Sequence, residues 1–446
     1  MGKGPLFGDL EAQRHWMEIT IHLPIYDWYR NGTHNDLMYW GLDYPPLTAF
    51  HEYVLGKIAE YLCPEVVTFE ASRGCETSSC ILFSRLSVLA MDILVYLPSC
   101  LLVTYFASDL QKSHSAFIPF FLMVFSPALL LIDHGHFQYN SVCLGLVLLS
   151  LFCIERDYDC IGSFLFVMAI GYKQIALYYS LVFFVWLLRK CYDRKSVSHL
   201  FLIGLTVIAS FALLFLPFCV HLPEDLSPLS SLRAVIQRMF PWDRWVFEDK
   251  VASVWCTLNN VIKLNRLFTF EQMKLMCLIA TICACLPSLF LLWRKPSPNR
   301  VYASLFSCSM SFFLFSYHVH EKTILFPLLP MLLLGKSDPD EAIWFSFMAS
   351  YSMIPLYLKD SNFLLGLVYT GVILFILPPQ KPIGVTPNKT ANWFFTLCLM
   401  GVVGCSILYY AFPPPARYPD LHSVLISSIS CGYFLLEYLL VLVKYC

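Results

Sequence analysis

Residues 198–220 read SHLFLIGLTVIASFALLFLPFCV, an apolar stretch without one Asp, Glu, Lys or Arg. A run of that length suits a helix crossing a bilayer, which takes about 20 residues. Working outward, similar runs lie near 82–106, 116–132, 141–154, 160–171, 174–188, 271–293, 301–317, 323–335, 341–357, 361–378, 392–412 and 422–443. Counted with the first, they make an expected all-α polytopic membrane protein of about 13 segments. The 141–154 and 160–171 runs are short, as expected of broken or part-buried helices whose backbone lines a protein cavity. Composition agrees: 58% of the 446 residues are hydrophobic and 14% charged, against about 25% charged in soluble chains. A soluble core large enough to hide so much Leu, Phe, Val and Ile would leave too little polar surface around it, so lipid is the expected solvent.

Net charge is −1, which gives no basic excess for nucleic acid. Most of the 18 cysteines fall inside apolar runs (Cys143, Cys153, Cys277, Cys283 and Cys285 among them) and read as small hydrophobes. Cys63 and Cys75 lie in a polar stretch where an oxidising compartment permits a pairing that nothing else selects. There are no internal repeats, and no low-complexity tract beyond Pro413–Pro415.

Alternation of the segments sorts the short loops into two sets. One holds Lys112, Arg156, Arg189, Lys190, Arg194, Lys195, Arg294, Lys295, Arg300, Lys336, Lys381, Lys389 and Lys444; the other holds only Lys173, Lys322, Lys359 and Arg417. Short cytoplasmic loops are enriched in Lys and Arg, so the first set and the C-terminus are expected in the cytosol. Residues 1–80 and the 221–270 loop then lie on the far side, flanking membrane modules at 81–220 and 271–446. A polar segment as long as 1–80 does not cross unaided, so a further helix is expected before it, fourteen in all. Within it, Leu47, Phe50, Val54, Ile58, Tyr61 and Leu62 recur at helical spacing after Pro45-Pro46, and Trp16, Met17, Ile19 and Leu23 share one side of a second pattern. Both read as amphipathic helices lying along the interface.

Polar clusters at membrane boundaries are costly, and therefore point to function. Five stand out: 8–16 (GDLEAQRHW), 40–46 (WGLDYPP), 133–140 (DHGHFQYN), 247–250 (FEDK) and 318–322 (HVHEK). The loop charges place all five, with Lys173-Gln174, on the non-cytosolic face. Each has a bland reading: a solvated loop end for His318–Lys322, a surface ion network for Glu248–Lys250, a rigid turn at Tyr44-Pro45-Pro46, and helix N-terminal charge for Asp9 and Glu11. His134 and His136 could pair on a metal, but no carboxylate-rich partner fixes a coordination set. Sugar transfer from a lipid phosphate needs a carboxylate to take the acceptor's proton, cations to hold the departing phosphate and aromatic faces for the sugar. This face offers that mixture without by itself identifying the reaction.

These five motifs, in this order over nearly the whole chain, closely resemble the dolichyl-phosphate-glucose glucosyltransferases of N-glycan assembly. Gly41, Gly135 and the run 247–252 (FEDKVA) bring the pattern nearer to the members that add the first glucose than to those that add the second. The resemblance implies a GT-C type fold in the endoplasmic reticulum membrane. It also implies transfer of glucose from dolichyl phosphate glucose to the dolichyl-pyrophosphate-linked glycan of nine mannoses, forming an α-1,3 linkage by inversion without a cofactor. It implies Asp9 as general base, with His320 and Lys322 (and Glu321 between them) near the donor phosphate. His136, Gln138, Lys173, Asp43 and Arg14 are further binding candidates by motif membership. The family's first membrane helix, ahead of the Gly-Asp motif, is not found in this chain. The competing readings are the second-glucose enzyme and, in a different class, a transporter; scarce charge inside the spans (Asp92 is one) and the long first loop do not suit an alternating-access repeat.

Overall fold

The computed structural model describes residues 8–106, 116–241, 250–379 and 412–445, together with Met400 and Gly404. Among these residues the chain is helical throughout, with no strand. Six helices are long and apolar enough to cross a membrane: α3 (Ser78–Phe106), α4 (Phe117–Gly135), α7 (Gln174–Asp193), α8 (Val197–Cys219), α10 (Phe270–Arg294) and α15 (Leu421–Tyr445). The remaining labels go, in chain order, to α1 (Leu10–His22), α2 (Pro46–Leu62), α5 (Asn140–Glu155), α6 (Asp159–Tyr172), α9 (Pro228–Met239), α11 (Pro298–Phe315), α12 (Leu325–Leu334), α13 (Pro339–Ser352) and α14 (Phe363–Ile376). The segment expected near 392–412 lies almost wholly outside the described residues.

The helix that opened the sequence argument shows why lipid is the right solvent. In α8 only 17% of the most apolar window is buried, although its mean hydropathy is 2.5. Leu205, Ile208 and Leu213 are all more than half exposed. A helix this apolar and this uncovered is stable only if its surroundings are apolar too.

The Cα positions divide the chain into two compact units. One comprises 1–109, 130–177 and 195–243; the other comprises 110–129, 178–194 and 244–446. In the first unit α5 and α6 form a tight antiparallel hairpin, with the Ser150 hydroxyl donating to the Gly162 carbonyl at 2.7 Å. Helix α1 lies on α2 across Gly56, where an added Cβ would stand 2.8 Å from the Met17 carbonyl oxygen. Trp16, Ile19, Trp28, Tyr29, Leu42, Phe218, Val235 and Met239 complete that core. The second unit is centred on aromatic packing, with Phe313 against Phe434 at 5.7 Å and Phe306 against Phe345 at 5.3 Å between ring centroids. There α10 begins with a reciprocal capping box between Thr269 and Gln272, which satisfies two of the otherwise orphaned N–H groups at its start.

Two elements differ from expectation. Helix α1 does not have one polar face in solvent: Leu10 to Thr20 are all buried, the charged Glu11, Arg14 and Glu18 included. Both carboxylates share the one guanidinium and take further N–H and O–H donors, which lets the protein close over them. Cys75 is bonded to Cys80, not to Cys63, which is a free buried thiol.

Candidate active site

The first unit gathers His136, Gln138 and, behind them, Lys173 around one carboxylate. Asp9 is the residue before α1, and its side chain caps no helix N–H. Its position is set from outside the helix. The Asp9 amide donates to the His136 carbonyl at 2.8 Å, and Gly8 has φ +54°, a left-handed value that suits glycine. A Cβ at Gly8 would fall 2.1 Å from Nδ1 of His136, so this glycine is also what lets the imidazole lie against the chain.

The carboxylate is held at both oxygens. His136 Nε2 lies 3.3 Å from Oδ1, and the Gln138 amide Nε2 donates to Oδ2. The same amide reaches the Tyr44 hydroxyl at 3.3 Å. Gln138 is oriented in turn through its carbonyl oxygen, which accepts from Lys173 Nζ at 2.9 Å and from Asn140 Nδ2 at 2.9 Å. Lys173 also donates to Asn140 Oδ1 and stands 4.8 Å above the Tyr44 ring. Asn140 is anchored on Asp133 at 2.7 Å, and the Asp133 carboxylate accepts the Ser141 amide at 2.7 Å. The result is a chain of fixed donors behind a carboxylate that remains 22% exposed, while His136 is 7% exposed. Such an arrangement fixes the direction of the Asp9 carboxylate and leaves it reachable by a hydroxyl group.

The loop at 40–46 supplies the adjoining wall. Gln13, Tyr44, Thr48, Tyr139, Tyr172 and Lys173 enclose a gap too narrow to admit water. Burial, with the Asp9 and Asp43 charges, raises the Tyr44 phenol well above its usual range, so it is a neutral hydrogen-bonding group. Arg238 of α9 fixes the loop by donating to the Leu42 carbonyl at 3.0 Å and to the Gly41 carbonyl at 2.6 Å. The Asp43 carbonyl accepts from Gln174 at 3.4 Å.

Arg14 is placed elsewhere. It is 1% exposed and faces away from Asp9 along α1, donating to Glu11 at 2.7 and 2.8 Å, to Glu18 at 2.7 Å, to the Val66 carbonyl at 3.2 Å and to Ser72. Glu11 also accepts from Tyr39 at 2.8 Å and from the Gly74 amide at 3.1 Å. Glu18 accepts the Glu70 amide at 2.7 Å. Burial opposes ionisation of Glu18, but its hydrogen bonds from His15 and Arg14 prevail and hold it at about 2. The network clamps segment 66–74 onto α1.

His320, Glu321 and Lys322 belong to the second unit, at the turn that leads into α12. His318 has φ +56° there, and its ring meets that of His320 edge-on at 4.8 Å. Glu321 is buried, while His320 and Lys322 are part-exposed. Of the 247–250 motif only Lys250 is described, paired with Asp420 at 3.0 Å; Phe247, Glu248 and Asp249 lie outside the described residues. His134 and His136 do not share a ligand position: His134 turns to Asp92 at 2.7 Å and His136 to Asp9. Sequence reasoning left Tyr44 evenly between a rigid turn and a ligand contact, took Asn140 as the end of a motif and missed Arg238 altogether. The signal for the first two was their place inside the quoted motifs; Arg238 carried none.

Comparison with known proteins gives the chain its kinship. A family model described as the ALG6, ALG8 glycosyltransferase family matches residues 4–440. The chain is 39% identical over 464 residues to a Gallus gallus protein named dolichyl pyrophosphate Man9GlcNAc2 alpha-1,3-glucosyltransferase, covering 97% of this chain and 90% of that protein. It is 40% identical to a Drosophila melanogaster protein named as a probable enzyme of the same kind (98% and 91% covered), and 39% identical to the Saccharomyces cerevisiae enzyme of that name (96% and 84% covered). A match over nearly the whole length settles the question of kinship: the chain belongs to the ALG6, ALG8 glycosyltransferase family.

Proposed function

We propose that this protein transfers the first glucose onto the dolichyl-pyrophosphate-linked nine-mannose oligosaccharide of N-glycan assembly, with dolichyl phosphate glucose as donor. The observation that carries the reading is the Asp9 carboxylate, fixed by His136 and Gln138 yet still open to solvent. In the proposed step an acceptor hydroxyl gives its proton to Asp9 as its oxygen attacks the anomeric carbon of the β-linked glucose. The bond from that carbon to the phosphate oxygen breaks on the opposite face, and dolichyl phosphate leaves. One displacement inverts the centre, giving the α-1,3 linkage with no covalent enzyme intermediate.

His320 and Lys322 are assigned to the donor phosphate, with Glu321 beside them, as cations where charge accumulates. Lys173 and Asp43 are assigned to substrate binding around Tyr44. The reading places the protein across the endoplasmic reticulum membrane with thirteen segments between 82 and 443, residues 1–80 and 221–270 in the lumen and the C-terminus in the cytosol. The asymmetry of loop Lys and Arg supports that orientation.

The test is Asp9→Asn in the full chain, expressed in cells lacking the first glucosyltransferase, with the lipid-linked oligosaccharide as readout. Wild type should yield a one-glucose product. The variant should lose about 10²- to 10⁴-fold in kcat, the range for removing a general base, with unchanged membrane insertion. Normal turnover by the variant refutes the role of Asp9; a second glucose added to a one-glucose lipid by wild type would favour the sister activity.

A further inference from the structure

Helix α3 carries a charged cluster that the Asp9 site does not use. Asp92 opens a π-helical turn at Asp92–Tyr96, and His134 sits in another at Leu131–Gly135. Such widened turns are rare and concentrate at functional sites. Here they bring His134 Nε2 to 2.7 Å from Asp92 Oδ2, with the two side chains 29% and 20% exposed. Arg85 lies seven residues before Asp92, two turns along the same flank of α3 and about 10 Å away along the axis. It is exposed and within electrostatic reach of His134, yet it makes no hydrogen bond or ion pair among the described residues.

The flank matters. Ser84, Ser87 and Val88 face protein, whereas Leu82, Leu86, Leu89 and Ile93 are between 45% and 56% exposed on the side that a bilayer would cover. Arg85 and Asp92 stand between these stripes. An arginine this close to the end of a span reaches the headgroup layer, where lipid phosphates lie. Arg85 is the permanent cation of this cluster, and His134 stands two residues from the imidazole that touches Asp9. An anion joined to an apolar tail fits both halves: its head on Arg85 and His134, its tail along Leu86, Leu89 and Ile93.

We infer that Arg85, with His134 held by Asp92, binds the phosphate of a lipid-linked substrate entering the first unit from the bilayer. The inference rests on the proposed function for which lipid is meant, since phosphate on a polyprenyl tail could be that of the donor or of the acceptor. Binding is therefore measured apart from turnover, on the full chain in phosphatidylcholine nanodiscs, with dolichyl phosphate and dolichyl pyrophosphate as separate probes. Arg85→Gln should weaken one probe about tenfold, the loss typical of a charge-assisted contact. Arg85→Lys should recover most of it, and His134→Asn should weaken the same probe. The probe affected tells donor from acceptor.

Unchanged affinity for both probes, in variants whose thermal midpoints match wild type, overturns the site. Repeating the titration with phosphatidylglycerol added separates a membrane phospholipid from a substrate. A difference between wild type and variant that appears only with phosphatidylglycerol present assigns the site to bulk lipid and overturns the substrate assignment. Because binding is read without catalysis, failure here leaves the Asp9 reading standing, and loss of turnover in wild type leaves this result readable.

Discussion

Replacing Arg14 with methionine should cost this protein more than any other single change in α1. Arg14→Met keeps the stem and removes the fork, so Glu11 and Glu18 lose their common cation with side-chain exposures of 5% and 1%. Breaking a buried ion pair from one side costs about 3–5 kcal/mol, because the remaining charge is stranded. Both carboxylates keep other donors: Tyr39 and the Gly74 amide for Glu11, the Glu70 amide and Ser72 for Glu18. That argues for the lower end, ~3 kcal/mol, or roughly 6–12 °C in the midpoint of a unit of this size. The assay is tryptophan fluorescence of the full chain in detergent on heating, which Trp16 and Trp28 in the adjoining core make sensitive. Arg14→Lys should fall between, since an ammonium cannot serve two carboxylates and a carbonyl with one fork. Glu18, held at about 2, contributes stability that is present above its unfolded value of 4.5 and is lost as pH falls through 2. In wild type that contribution should be flat from pH 8 to 5 and fall only in stronger acid. A loss below ~1 kcal/mol at neutral pH on Arg14→Met would refute the reasoning.

Two further outcomes follow from the same segment. Glu52 is fully buried in α2 with neither carboxylate oxygen hydrogen-bonded, and burial holds its acid form well above 4.5. Its cost is absent below 4.5 and grows as pH rises, when the unfolded chain ionises and the folded one does not. Glu52→Gln should raise the thermal midpoint at pH 7.5 by the equivalent of ~1–3 kcal/mol, with the gain vanishing near pH 4.5; no gain at pH 7.5 would show that the carboxyl has a partner. Asn31 of the Asn31-Gly32-Thr33 sequon is exposed, with its Oδ1 accepting the Leu37 amide at 3.1 Å. A mobility shift removed by peptide N-glycosidase and abolished by Asn31→Gln is expected, whereas glycosylation of a tag in the 294–300 loop would reverse the orientation.

What the sequence disclosed depended on which solvent each residue meets. Helices such as α8 and α10 face outward along most of their length, so their apolar runs are long and their bounds were legible within a few residues. Helices α5 and α6 pack against protein, so their runs are shorter and their polar residues, Asn140 and Ser150 among them, are satisfied internally. In α1 the periodicity misled: Trp16 and Ile19 do mark a buried side, but Arg14 with two glutamates makes the opposite side equally buriable. The Asp9 cluster was legible as motifs because its partners are short-range within 133–140. Arg238 was not, because it lies in no motif and comes to the site only through folding. Cys80 shows the same limit: it reads as the first turn of an apolar helix, and only its proximity to Cys75 makes it half of a disulfide.

Asp9 and Gln138 stand 129 positions apart, and that distance is also an interval of time. The ribosome delivers the carboxylate first, and its two orienting side chains follow only after α3 and α4 have been made. At about 5–20 residues per second, the interval is roughly 6–25 seconds. For that period Gly8 has no imidazole to rest against and Asp9 has no fixed direction. The nascent chain thus carries an unset base until its second apolar span is in place, and a stalled or misinserted α4 would leave a well-translated but inert enzyme.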